Sequence, residues 1–111
     1  MSAEPDFEHI AVRNNEDEER YEAPVGDEIA TLYYGLDGRR LTLIHTEVPP
    51  ALEGHGIAGK LARFALDDAR SRGLEVIPVC TYVAGYLRRH PDDLDLVPLS
   101  ARHLVTRSGE Q

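Results

Sequence analysis

Gly54-His55-Gly56-Ile57-Ala58-Gly59-Lys60 lies between a strand-like run ending at Val48 and an amphipathic run from Ile57 to Arg72. Clustered glycines let the backbone approach a ligand closely, and a helix starting there offers unpaired N–H groups at the positive end of its dipole. A helix start of this kind is an anion cradle, most often for phosphate. The surrounding sequence decides which phosphate compound it suits and which fold carries it.

Upstream, residues 9–14 read as a short strand ending in the Asn14-Asn15 turn, and Arg20 to Val25 as a weaker strand turned by Gly26-Asp27. Glu28 to Leu36 is rich in strand formers, and Asp37-Gly38 is the best hairpin signal in the chain. With Arg40 to Val48 these runs predict an antiparallel meander. Leu41, Leu43 and Ile44 place apolar groups on both faces of the last strand, so it is expected to be central. By period two, His45 and Glu47 lie on one face of their strand, toward a cleft if Leu43 faces the edge of the core.

Downstream the period changes. Ala58, Ala62, Ala65 and Ala69, with Ile57, Leu61 and Phe64, recur at helical spacing, and Gly73 follows as the terminating residue. Glu75 to Cys80 predicts the next strand. Strand, helix and strand then form a βαβ unit whose two strands run parallel. Thr81 is placed to cap a second helix, Tyr82 to about His90, ended by Pro91. Asp92 to Leu99 reads as one more short strand or turn, and residues 100–111 as a polar, frayed tail beyond a single domain of residues 1–99.

Two phosphate motifs fit the glycines but not their setting. Gly54-x-Gly56-x-x-Gly59 matches the dinucleotide fingerprint, yet residues 49–53 separate it from its strand, and the next strand ends in Cys80 rather than an acid. Gly54-x-x-x-x-Gly59-Lys60 falls one residue short of a P-loop, because Leu61 stands where a magnesium-holding hydroxyl is needed.

A third pattern, Glu53-Gly54-His55-Gly56-Ile57-Ala58, fits both loop and setting. With His45-Thr46-Glu47-Val48-Pro49-Pro50 before it, and Val76-Ile77-Pro78-Val79-Cys80, Tyr82-Val83-x-x-Tyr86 and Arg89-His90-Pro91 after it, the chain resembles the small, stripped-down branch of the GNAT superfamily of N-acetyltransferases. The likeness covers roughly residues 9–98. It departs at Glu53, where Gln or Arg is usual, so that carboxylate is expected to turn from the phosphates. It departs again at Thr81, where proline or serine is commoner.

The resemblance implies a compact α/β (α+β) acetyltransferase fold whose two parallel strands splay apart. It implies acetyl-CoA as cosubstrate, an amine as acceptor and no metal. Val48, Gly54, His55, Gly56, Ile57, Ala58, Gly59, Lys60 and Tyr82 are then the cofactor-binding candidates. Lys60, Arg63, Arg88 and Arg89 are candidates to offset repulsion between an acidic chain and an anionic ligand. Cys80, Glu47 and Tyr86 are the catalytic candidates. Cys80 precedes a helix whose dipole favours a thiolate, and stands as acid, as nucleophile or as an inert small hydrophobe. By resemblance Glu47 is a general base, with cross-strand pairing as the alternative, and Tyr86 protonates the leaving thiolate or packs with Tyr82. Few residues separate the first two strands and few follow the second helix, so a non-catalytic acyl-CoA-binding module is the rival reading.

Composition narrows the rest. A net charge of −8 over 111 residues argues against nucleic-acid binding. No apolar run is long enough to span a bilayer, and the first residues lack the basic and apolar regions of a signal peptide. The single cysteine suits a reducing compartment. A cytoplasmic monomer or weak homodimer is expected.

Overall fold

The computed structural model describes residue 7 and residues 9–106. Five strands form one sheet in chain order: β1 Arg13–Asn15, β2 Arg20–Val25, β3 Glu28–Asp37, β4 Arg40–Glu47 and β5 Glu75–Pro78. β1 to β4 pair antiparallel, and β5 joins β4 in parallel. The crossover between them is α1, Ile57–Arg72, and β5 leads into α2, Thr81–Arg89. The mixed α/β architecture is the compact acetyltransferase type.

α1 forms where the alanine spacing predicts. Its buried stripe of Ile57, Leu61, Ala62, Ala65, Leu66 and Ala69 lies on the sheet face that carries Tyr21, Ala23, Leu32, Leu41 and Leu43. Alanines along the stripe let helix and sheet approach closely, and Phe64 meets Tyr21 edge-on, 5.8 Å between ring centres. Gly73 ends the helix in the left-handed conformation at φ 68°, a position glycine occupies without steric cost.

Several boundaries differ from the sequence reading. The strand expected over 9–14 is only Arg13–Asn15, paired Arg13 to Glu22 and Asn15 to Arg20. Pro24 has no N–H to give a neighbouring strand, so the ladder cannot run back beyond Arg13, and Ile10 and Val12 pack on the core without pairing. β5 stops at Pro78 rather than Cys80, because the Val79 amide turns back to the Ile77 carbonyl at 3.0 Å. α2 begins one residue early: Cys80, not Thr81, is its N-cap, and no side chain caps it.

The C-terminal expectations also change. Pro91–Leu96 is a 3-10 turn, the turn alternative of the expectation for this stretch. Asp93 accepts hydrogen bonds from Arg63 at 2.8 and 2.9 Å, and Asp95 accepts from Arg70 at 2.8 and 3.0 Å, which fastens this turn to α1. The expected fraying from Ser100 does not hold through residue 106. Leu99–Ala101 forms another 3-10 turn, and α3, His103–Thr106, buries Val105 while Ala101 is buried beside it. Residues 107–111 lie outside the described part.

A candidate acetyl-CoA cleft

β4 and β5 stay paired only from Arg40–Glu75 to Leu43–Pro78. Past that point the Cys80 amide still donates to the Leu43 carbonyl at 2.8 Å, and then the chains part as α2 begins. Residues 44–47 of β4 continue against β3 alone. A cleft of about 630 Å³ opens there, lined by Ile29, His45, Thr46, Glu47, Val48, Pro49, Glu53, Ala58 and Tyr82.

β4 itself is irregular at this place. Tyr34 pairs with Leu43 and Tyr33 pairs with His45, which leaves Ile44 as an extra, bulged residue. One inserted residue reverses every side chain beyond it. Thr46 therefore takes the face of Leu43, and His45 and Glu47 turn to the opposite face, where His45 Nε2 lies 3.3 Å from the Glu47 carboxylate. The sequence correctly places His45 and Glu47 together. Both line the cleft, as expected, although the bulge sets them on the face opposite Leu43.

The glycine loop borders the cleft. Leu52 anchors a 3-10 turn, Pro50–Leu52, after which Gly54 at φ 86° and Gly56 at φ 74° reverse the chain into α1. The first helical bond runs from the Lys60 amide to the Gly56 carbonyl at 3.2 Å, and no side chain caps the helix. Among the described residues, the amides of 54–59 have no protein acceptor. Val48, Glu53, Gly54, Gly56, Ile57, Ala58, Gly59 and Tyr82 line a hollow of about 260 Å³ at this helix start, sharing Val48, Glu53, Ala58 and Tyr82 with the cleft. A Cβ on Gly59 would stand 3.4 Å from the Tyr82 hydroxyl and 4.0 Å from the Tyr86 ring, so both tyrosines face this point of the helix. Glu53, expected to turn away, is one of the lining residues of both spaces.

The remaining candidates are spread around this centre. Cys80 is 5% exposed and is not among the cleft's lining residues; its Sγ lies 3.2 Å from Thr46 Oγ1. Tyr86 and Lys60 line another hollow, of about 550 Å³, which shares Gly56 and Gly59 with the hollow at the helix start. The Tyr86 ring stacks on His90 with centres 3.9 Å apart, and the His55 ring stacks on Phe7 at 3.6 Å. Of the basic residues, Arg63 is taken up by Asp67 and Asp93, Arg88 donates to the Val105 carbonyl, and Arg89 stands over the Tyr82 ring. Lys60 has no ion pair among the described residues, which hold no cluster of three metal-ligating side chains.

The sequence reading missed Thr46. It lines the cleft, its hydroxyl lies 3.2 Å from the thiol, and the bulge puts it on that face of the strand. No residue type announces a bulge, so the spacing gave no signal.

On these features the chain is an acetyltransferase-type α/β domain. Residues 20–96 match the family of GCN5-related N-acetyl-transferases, and the chain belongs to that family. It is similar to Protein NATD1 of mouse and of human, 41% identical over 63 residues in each case. The match covers 56% of this chain and 57% of the mouse or 56% of the human protein. Protein NATD1 of Xenopus tropicalis is 35% identical over 65 residues, covering 59% of this chain and 60% of that one. The chain thus spans little more than half the length of the curated relatives it matches.

Proposed function

We propose that the chain is an acetyl-CoA-dependent N-acetyltransferase that moves the acetyl group directly to an amine. The observation that carries this reading is the uncapped start of α1, whose amides have no acceptor among the described residues, set beside two parallel strands that part. Diphosphate suits those amides, since both the N–H groups and the helix dipole favour negative charge. Lys60, the residue directly after them, adds a positive charge. The pantetheine arm then runs along the freed backbone edge of β4 at Val48, past Tyr82, toward Thr46 and Cys80.

The acceptor side of the reading rests on charge. The lining residues of the cleft include two carboxylates, Glu47 and Glu53, and neither lysine nor arginine. That environment attracts a cationic amine, and Glu47, exposed and beside His45, receives its proton directly or through water. In this reading the leaving thiolate is served from the Cys80 side, where Thr46 lines the cleft. A reducing, cytoplasmic setting suits the lone thiol.

Calorimetric titration with acetyl-CoA, followed by acetylation assays on a panel of mono- and polyamines, tests the proposal. Micromolar binding with transfer to at least one amine is expected. Binding without turnover would instead identify a non-catalytic acyl-CoA-binding module, and no binding at millimolar ligand would end the reading.

A further inference from the structure

Cys80 is held more firmly than an ordinary loop residue. Its amide donates to the Leu43 carbonyl at 2.8 Å, and its carbonyl accepts from the Ala84 amide at 3.0 Å, so its backbone is tied to both β4 and α2. The side chain is buried, and its one polar partner among the described residues is the Thr46 hydroxyl at 3.2 Å. Thr46 in turn lines the cleft while Cys80 does not. The hydroxyl is therefore the group that connects the buried thiol to the space where a thioester would lie.

The bulge selects that hydroxyl. Thr46 pairs with Leu32 and Leu43 pairs with Tyr34, and Leu32 and Tyr34 share a face of β3, so Thr46 and Leu43 share a face of β4. Were Ile44 paired in regular register, His45 rather than Thr46 would share the face of Leu43. A cysteine beside a base is the arrangement of an activated nucleophile. Here His45 is instead turned away beside Glu47, and the thiol meets a neutral group that both donates and accepts.

We propose that Thr46 is a catalytic residue of this chain: its hydroxyl passes a proton from the Cys80 thiol to the sulfur on which coenzyme A departs. The inference rests on the acetyl-transfer reading above. As the amine nitrogen bonds to the acetyl carbon, the bond from that carbon to sulfur breaks and its electron pair stays on the sulfur. That sulfur takes the Thr46 proton, and Thr46 takes the Cys80 proton. The proton given up by the amine passes to Glu47 and, by way of solvent in the cleft and the Thr46 hydroxyl, returns to the Cys80 sulfur to restore the thiol. No acetyl group is carried by Cys80 in this sequence of transfers.

The test compares Thr46→Val, which keeps shape and removes the hydroxyl, with Thr46→Ser, which keeps the hydroxyl. Thr46→Val should lower kcat about 10²-fold, in the range of a lost proton donor, with KM little changed, and Thr46→Ser should restore most of the rate. In the free chain, iodoacetamide reports on Cys80 alone, because it is the only cysteine. Its alkylation at fixed pH should slow about tenfold in Thr46→Val, the size of one hydrogen bond to a charged sulfur, and recover in Thr46→Ser. Intact mass after a single turnover should show no acetyl group on the protein. Full turnover and unchanged alkylation in Thr46→Val, or an acetylated Cys80 formed as fast as product, would overturn the relay alone. A wild-type chain that transfers nothing to any amine would overturn the acetyl-transfer reading and the relay with it.

Discussion

Glu22 is 1% exposed, and three donors converge on its carboxylate: Arg13 at 2.7 Å, Asn15 at 2.9 Å and Arg20. Burial alone would push its pKa up, but the hydrogen bonds from Asn15, Arg20 and Arg13 outweigh burial and hold it at about 2, below the ordinary 4.5. A carboxylate depressed in the folded state stabilises above its unfolded pKa, and that contribution fades as pH falls through the folded value. The thermal midpoint should therefore drop between about pH 4.5 and pH 2. Glu22→Gln should be less stable at pH 7 and flatten that drop, as read by circular dichroism melts across the range. Gly56 makes a second prediction at this scale. At φ 74° an alanine pays the left-handed penalty of about 1–2 kcal/mol, so Gly56→Ala should melt earlier and bind acetyl-CoA more weakly. Glu47→Gln, a change at an exposed side chain, should leave the melt unmoved and lower kcat about 10²-fold if it accepts the amine's proton.

Between elements, the union of α1 with the C-terminal turn rests on Arg63, Arg70, Asp93 and Asp95. Hydrogen bonds from Arg63, stronger in effect than burial, and further bonds from Arg70 hold the Asp93 carboxyl below its usual range. Arg63 and Arg70 are part-exposed and keep Asp67 and Asp95 as partners, so Asp93→Asn should cost about 1 kcal/mol, measurable by urea unfolding. Sequence patterning reaches this level unevenly. α1 was legible to the residue because the alanine stripe and Gly73 mark both its face and its end. The Asp37-Gly38 hairpin was legible for the same kind of reason, a turn that demands particular residues. The bulge at Ile44 was not, since a single inserted residue carries no compositional mark and surfaces only as a register shift against Tyr33 and Tyr34. Nor was the order of residues 99–106, where Ala101 and Val105 find a buried place that local polarity concealed. Thus the loop and its helix were read from spacing, while the neighbour of Cys80 depended on pairing between distant strands.

Across the whole molecule, a chain of net charge −8 is asked to hold a polyanion. Long-range repulsion opposes binding, and salt screens exposed charges beyond about 10 Å at 0.1 M. Acetyl-CoA affinity should therefore hold or rise modestly as ionic strength increases, the opposite of what a basic phosphate site shows, and Lys60→Ala should lower it. Backbone amides at one helix start must supply most of the attraction, and the parting of β4 from β5 must admit the thioester. Isothermal titration of the chain with acetyl-CoA, repeated on Gly56→Ala, addresses both requirements at once. One site per chain at micromolar affinity is expected, weakened at least tenfold by the substitution; heat traces identical to buffer at millimolar ligand, or equal affinity in the two proteins, would rule out phosphate binding at this helix start.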